Sequence, residues 1–382
     1  MKATIIRGVD VVRSARVMQL EGLFDIPPTK RSEQSWTVEL PIENLPWNVG
    51  LIVGPSGSGK STAAREMFGD RLVAGFDWPA DKSLVDGFPA RQSIKDVTAL
   101  LSSVGFSTPP AWLRPFRCLS TGEQFRATVA RALAEHAGAG DLVVLDEFTS
   151  VVDRQVARIG SAAIAKAVRR RKQRLVAVTC HYDVEEWLQP DWVLEMPSGT
   201  FTRRSLQRRP EIKLEIRRVD PSAWHLFKHH HYLSTTLHKG ARCFVAFHEG
   251  RPAAFASSIH MAGKNGGGWR EHRTVCLPDF QGVGIGNAVS EFVAGVMRAL
   301  GKPYYSVTGN PAMIAHRARS PLWFMHRKPS RSTLNQTEWA DGPSNNATAA
   351  TNSLAAGFRF VGPARVEEAR GFGLLPQAAA RT

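Results

Sequence analysis

At 382 residues the chain is long enough for two domains, each able to bury its own core, and 43% hydrophobic with 22% charged residues is ordinary for globular protein. The net charge of +15 and pI near 10.1 are not ordinary: they favour a polyanionic partner, nucleic acid above all, although solubility alone also produces such an excess. Cys118, Cys180, Cys243 and Cys276 stand alone with no C-x-x-C pair, which argues against a disulfide framework or a structural zinc site and suits a reducing, cytoplasmic setting.

The stretch Met1 to Phe24 is interrupted by Arg7, Asp10, Arg13 and Arg16 and lacks the apolar core of a signal peptide. No uncharged apolar stretch approaches bilayer-spanning length, so no direct membrane insertion is expected. Lys2 to Ile6 and Trp36 to Leu40 read as strands, joined through the turn-rich Asp25 to Arg31. An apolar run, Val49 to Val53, then leads into Gly54, Pro55, Ser56, Gly57, Ser58, Gly59, Lys60, Ser61 and Thr62, which meet the phosphate-binding pattern G-x-x-x-x-G-K-[ST] in full. A helix is expected to follow through Phe68. In that setting the glycines let backbone N–H groups curl around phosphate, Lys60 reaches the β- and γ-phosphates and the Ser61 hydroxyl ligates Mg²⁺.

Phe76 to Pro89 reads as irregular, and Ser93 to Gly105 carries a helical apolar pattern. Leu119 to Gln124, L-S-T-G-E-Q, precedes an Ala/Arg-rich helix to about Glu135. The apolar strand ending in Asp146-Glu147 comes next, and a second one, Leu175 to Cys180, ends at His181. Together these resemble the ABC-type ATPases. Leu119 to Gln124 is similar to their L-S-G-G-Q signature, with Thr121 in place of the first glycine and Glu123 inserted as in the S-x-G-E variants. Asp146-Glu147 looks like the Walker B end, Val151 to Asp153 the D-loop and His181 the switch histidine, over roughly residues 35 to 200.

The resemblance implies Asp146 holding Mg²⁺ with Ser61, Glu147 as general base and His181 at the γ-phosphate. It also implies a head-to-tail homodimer in which Ser120, Gly122 and Gln124 meet the ATP of another subunit. Two departures stand out. Near Phe76 to Pro79 no Q-loop glutamine is evident, Gln92 being late, and the adenine-stacking aromatic is undetermined between Phe24 and Trp36. The stretch from Lys60 to Leu119 is short for the family, implying a reduced helical arm.

Arg169 to Lys172, Arg174, Arg203-Arg204, Arg208-Arg209, Lys213 and Arg217-Arg218 form a basic joint, read either as solvated surface or as a phosphate-tracking one. Pro210 and the loss of apolar periodicity place a domain boundary near residue 206, giving domains 1–205 and 206–382. Beyond it, Leu214 to Arg218 reads as a strand, Pro221 to Phe227 as a short helix, and Cys243 to Phe247 with Ala253 to Ile259 as a hairpin. Thr274 to Leu277 is a further strand, leading into Asp279, Gln281, Gly282, Val283, Gly284, Ile285 and Gly286 and an apolar helix, Asn287 to Leu300; Tyr304 to Thr308 is again a strand.

This order of elements resembles the GNAT acyltransferases. Gln281-x-x-Gly284-x-Gly286 matches their [QR]-x-x-G-x-[GA] pyrophosphate loop, and Leu354 to Phe360 looks like their terminal G-F strand. An α/β chain is therefore expected: an ABC-type P-loop NTPase domain, then a GNAT-like α+β acyl-CoA N-acyltransferase domain. The resemblance implies acetyl-CoA or another acyl-CoA on Gln281 to Gly286. Candidate proton-transfer residues by type and neighbourhood are His231, Tyr232, His272 and Asp279. His230 to Leu233 and Glu271 to Arg273 also resemble phage Mom-type DNA modification proteins. Residues 327–353 are expected to be a flexible insertion and 373–382 a disordered tail. The function implied is ATP hydrolysis coupled to acyl transfer onto DNA or RNA. The alternatives are a transporter subunit, a CoA-sensing or docking domain without catalysis, and an acceptor that is a protein or a small amine.

Overall fold

The computed structural model describes residues 2–136, 138, 140–204, 211–231, 235–262, 267–331 and 354–377. The chain begins with β1 (Lys2–Asp10), α1 (Ala15–Phe24), β2 (Arg31–Glu39), β3 (Val49–Val53), α2 (Lys60–Phe68) and β4 (Leu72–Val73). Three helices follow: α3 (Ile94–Ser103), α4 (Pro109–Trp112) and α5 (Thr121–Glu135). The first half closes with β5 (Leu142–Leu145), α6 (Arg154–Arg171), β6 (Arg174–Thr179), α7 (Val184–Leu188), β7 (Trp192–Glu195) and β8 (Thr200–Arg203). The second half opens with β9 (Glu215–Val219), β10 (Arg242–His248), β11 (Arg251–Met261), β12 (Gly268–Cys276), α8 (Ile285–Arg298) and β13 (Tyr304–Thr308). It ends with α9 (Pro311–Arg317), β14 (Trp323–Arg331), β15 (Leu354–Phe360) and α10 (Val366–Gly371). The chain is of mixed α/β class.

Contacts divide it into two compact units that do not follow the chain in series. The first comprises residues 1–77, 135–152 and 165–209; the second comprises 78–134, 153–164 and 210–382. Residues 78–134 and 153–164, assigned to the first half on sequence, thus pack with the second. The expected cut at 205/206 falls outside the described residues, as do Arg208, Arg209 and Tyr232.

The first unit is built on a six-stranded sheet of order β4-β5-β6-β3-β7-β8, parallel from β4 to β7 with β8 antiparallel at the edge. All five residues of β3 are buried, as expected of a central parallel strand covered on both faces. Its start is pinned by Asp191, whose Oδ2 accepts the N–H groups of Asn48 and Val49, both at 2.8 Å. Ile52, Ala63, Val176 and Trp192 meet in the core beneath the loop that follows β3.

The second unit has a seven-stranded sheet of order β14-β15-β13-β12-β11-β10-β9. Only β12 and β13 are parallel, and they pair only at Trp269↔Tyr304 and Arg270↔Tyr305; beyond that they splay apart. α8 buries Ile285, Val289, Val293 and Val296 on one face against Phe244, Ala254 and Phe358, each side chain worth about 1.5–3 kcal/mol of transfer free energy. A separate cluster is formed by Trp224, Phe227, Phe255 and Val275. In the 78–134 segment, Ser93 caps α3 by accepting the Asp96 N–H, and Val97, Leu100 and Leu101 give the helix its buried stripe. Trp78 stacks on Phe116 with centroids 4.5 Å apart, and Arg131 lies 4.8 Å above the same indole.

Three expectations are corrected. Residues 327–331, assigned to a flexible insertion, are the end of β14; Pro329 sits where the register with β15 shifts, a place an edge strand tolerates it. The remainder of that stretch, 332–353, lies outside the described residues. Leu374 and Leu375, assigned to a disordered tail, pack on the α8 core, while 378–382 lie outside the described residues. The strand expected at Thr274 to Leu277 starts six residues earlier, at Gly268, so that Glu271 and His272 are strand residues. Among the described residues no helix is long and apolar enough to cross a membrane.

Candidate functional site

In the first unit, Gly57 and Gly59 adopt φ of 79° and 87°, the left-handed region where a Cβ is strained, and Gly59 caps α2. Lys60 is 9% exposed and its Nζ donates to the Pro55 carbonyl at 2.7 Å, bending the ammonium back over the loop. The Ser58 hydroxyl is buried with no hydrogen-bond partner among the described residues. The Ser61 hydroxyl donates to Asp146 Oδ1 at 3.0 Å.

Topology makes this convergence. Parallel pairing sets Val53 beside Thr179 and Leu145 beside Ala177, so the ends of three strands bring the loop, Asp146-Glu147 and Thr179-Cys180 together. They line a cavity of about 160 Å³ that also touches Ser56, Gly57, Gly59 and Thr62. Glu147 sits at φ 51°, and its N–H donates to Asp146 Oδ1 at 2.9 Å. His181 follows directly, its N–H donating to Thr179 Oγ1 at 3.2 Å. Gly54 and Pro55 lie at the start of the same loop.

Phe24 is 66% exposed at the end of α1, and the Trp36 side chain lies outside the described residues. Gln92 is committed elsewhere: its amide donates to the Ala134 carbonyl at 3.2 Å.

The signature segment belongs to the second unit. Ser120 and Glu123 form a capping box at the start of α5: the Ser120 N–H donates to Glu123 Oε2 at 2.9 Å, and the Glu123 N–H donates to Ser120 Oγ at 3.3 Å. Ser120 is exposed, Gly122 packs against Val156, and the Gln124 amide donates to the Phe116 and Leu119 carbonyls. Asp153 caps α6 by accepting the Gln155 and Val156 N–H groups.

The second glycine loop is held inward at its first half. Gln281 Oε1 accepts the Ser107 N–H at 2.5 Å, and its Nε2 donates to Thr108 Oγ1 at 3.2 Å and to the Cys276 carbonyl at 2.8 Å. Gly282, at φ 89°, lies so close to Gly105 and Ala163 that a Cβ would fall 2.7 Å from each. The second half is open: around Gly284, which caps α8 at φ 104°, nothing would meet a Cβ within 4 Å.

The proton-transfer candidates fall into two groups. His272 accepts the His238 N–H on Nε2 at 3.1 Å, and His231 packs edge-on to Trp224 at 5.7 Å. Burial pulls the His272 pKa down to about 3, with Arg273, Arg270, His238 and His231 adding to it. Asp279 stands apart from these, near Arg126, Asp153 and Glu123; burial raises its pKa, Arg126 opposes and Asp153 reinforces. His230 is within electrostatic reach of Glu123 and Asp279, and burial holds it below the usual histidine value.

Two features escaped the sequence reading. Glu271, the first β12 residue past the last pairing with β13, is bound by Arg317 at 2.9 Å and by Ser290, Ser306 and Thr274. Burial pushes its carboxyl up, but Arg317 and the three hydroxyls outweigh that and hold it below the usual carboxylate range. Such a fully satisfied pair, 1% and 7% exposed, pins the splay rather than supplying a base. Arg126 is fully buried on α5, and among the described residues Nε, Nη1 and Nη2 all lack hydrogen-bond partners. Burial lowers its pKa against the opposing pull of Asp279 and Glu123. An S-x-x-E reading of Ser120 to Glu123 was available in the sequence; nothing there could have placed Arg317 on Glu271.

Among the described residues no three His, Cys, Asp or Glu side chains gather as a metal-ligating group, and all four cysteines are free. A scan against protein-family models finds no matching family, and a search of curated proteins finds no match.

Proposed function

We propose that the chain is an ABC-type ATPase whose nucleotide cycle drives a GNAT-like acyltransferase acting on nucleic acid in the cytoplasm. The observation that carries the first part is the Ser61–Asp146 hydrogen bond at the mouth of a lysine-bearing glycine loop, beside an orphaned Ser58 hydroxyl. The parallel order β4-β5-β6-β3-β7 supports a P-loop architecture. ATP fits these residues, and Mg²⁺ would be held by Ser61 and Asp146 together with phosphate oxygens; bound Mg²⁺ would neutralise charge on the β- and γ-phosphates. Lys60, released from Pro55, binds the phosphates. Glu147 accepts a proton from the attacking water, and His181 steadies charge on the γ-phosphate. Ser120, Gly122 and Gln124 complete the site of a second copy in a head-to-tail dimer.

The second part rests on the sheet order and the β12–β13 splay, which support a GNAT-like fold. The open half of the loop, Val283 to Gly286, is the part that fits a pyrophosphate, with the α8 dipole behind it. Acetyl-CoA, when bound, supplies the acyl group. The acceptor amine must lose a proton, and Asp279, its pKa raised, is better matched to take it than His272, held neutral at about 3. Residues 105–108, in the segment that carries the signature, touch this loop through Gln281, which supports a nucleotide-gated transfer.

The test is to supply labelled acetyl-CoA with and without ATP and assay DNA, tRNA and protein fractions, using the wild type and Glu147→Gln. Label in nucleic acid that depends on ATP and disappears in the variant supports the coupling; equal labelling by both removes it. A second reading, a docking or CoA-sensing domain without transfer, draws on the inward-held Gln281 and Gly282 and predicts acetyl-CoA binding with no labelled product.

A further inference from the structure

β9 is the last strand at one edge of the second unit's sheet, and beside it lies a groove of about 650 Å³. Its lining includes Arg217, Arg218, Asp220, Arg242 and Phe372. Arg217 is already neutralised by Glu215 at 2.7 Å. Arg218 and Arg242 are not: among the described residues neither has a carboxylate partner.

Register places both on one face of the sheet. Arg218 is opposite Phe244 across β9 and β10, and Arg242 lies two residues before Phe244 on the same strand, so both guanidiniums project on one face as a diagonal pair. Among the described residues Arg218 donates to the Phe372 carbonyl alone, at 3.0 Å. Arg242 stacks 4.4 Å above the Trp269 ring, which fixes its plane, and its Nη1 is shielded from solvent without a hydrogen-bond partner. Burial, and then the charge of Arg218, hold Arg242 below the ordinary arginine value. Two guanidiniums on one face, neither of them ion-paired among the described residues, give the lining an excess of positive charge suited to an anion. Asp220, the one acid among the lining residues, accepts the Ser222 N–H at 2.9 Å and ion-pairs with neither arginine among the described residues, so three arginines outweigh one carboxylate there.

We propose that this groove binds the phosphodiester backbone of a nucleic acid, with Arg218 and Arg242 on its phosphates. This rests on the reading that the acceptor is nucleic acid. A groove of this volume takes a ligand far larger than one phosphate, and the charge of +15 draws a polyanion to the surface around it. Its position serves that acceptor. Arg242 is in register with Ser258 and Ser258 with Glu271, which places Arg242, on the groove's β10 side, two strands, about 10 Å, from the β12–β13 splay.

The experiment is a salt titration of a labelled single-stranded oligonucleotide binding to the full chain, read by fluorescence anisotropy, with wild type, Arg218→Ala, Arg242→Lys and Arg218→Ala/Arg242→Ala. Removing one phosphate-binding cation should flatten the log–log salt slope by about 0.7. Arg218→Ala should therefore bind several-fold more weakly with a shallower slope, the double variant more so, and Arg242→Lys should keep the slope while losing affinity. Arg218 is exposed, so its variant reads the groove even where the double variant fails to fold. A wild-type slope in Arg218→Ala and in the folded double variant overturns the groove but leaves the nucleic-acid acceptor standing. No oligonucleotide binding by the wild type overturns both, and equal competition by polyglutamate would replace nucleic acid with an acidic protein.

Discussion

Gly59 and Gly284 do the same backbone job in different units: each is a left-handed cap, φ 87° and 104°, that turns a strand-to-helix connection into a helix N-terminus. The two loops differ in what surrounds that cap. After Gly59 come Lys60 and Ser61, with Asp146 and Glu147 delivered from the end of β5, two strands away across β6, so a cation, a hydroxyl and two carboxylates line one cavity. After Gly284 come Ile285 and Gly286, neither of them a cation, and the side chain of Gln281, three residues before the cap, is spent on Ser107, Thr108 and Cys276. A glycine cap alone makes a place for an anion; reactivity has to be imported by side chains from other strands.

The comparison can be broken most severely at the first loop. Lys60→Ala should reduce ATP hydrolysis by about 10²–10³-fold, as loss of a preorganised charge at the transition state does, measured by phosphate release. A variant within a few fold of wild type would put the first loop on the same footing as the second. At the second loop, Gly284→Glu adds a side chain at φ 104° and a negative charge at the helix N-terminus. Acetyl-CoA affinity should fall by about tenfold or more in titration calorimetry, and unchanged affinity would move the acyl-CoA site elsewhere.

The smallest effect sharpens where the second unit keeps its titrating groups. His272 binds its proton more weakly folded (about 3) than unfolded (6.5), so the unfolded chain takes up the extra proton as pH falls through that window and the fold loses stability there. Partial exposure screens the full effect, leaving about 2 kcal/mol between neutral pH and pH 3. His272→Gln should flatten the denaturant midpoint against pH over that range, and an unaltered pH profile would mean His272 titrates normally.

What was legible in the sequence was what is local. The phosphate loop is nine contiguous residues between an apolar strand and a helix, and α8 announces itself by Val289, Val293 and Val296 at helical spacing. β12 was cut short because Arg270, Glu271, His272 and Arg273 look like surface; Glu271 is buried only because Arg317, from α9, reaches back to it. β14 was lost to its own Arg327, Lys328 and Pro329, which an edge strand accommodates. β7 and β8 are four residues each and exist through pairing with β3 and each other rather than through any pattern of their own. Arg126 reads as one more arginine in a basic helix, and only packing shows it to be wholly buried.

The interleaved division of the chain has a consequence for its birth. The chain passes from one unit to the other five times, at 77/78, 134/135, 152/153, 164/165 and 209/210. A ribosome adding about 5–20 residues per second therefore completes residues 78–134 some 10–50 s before β15, the last strand of their unit among the described residues, has been made. Leu100, Leu101, Phe106 and Leu133, buried in the finished chain, are thus made well before most of the unit they belong to.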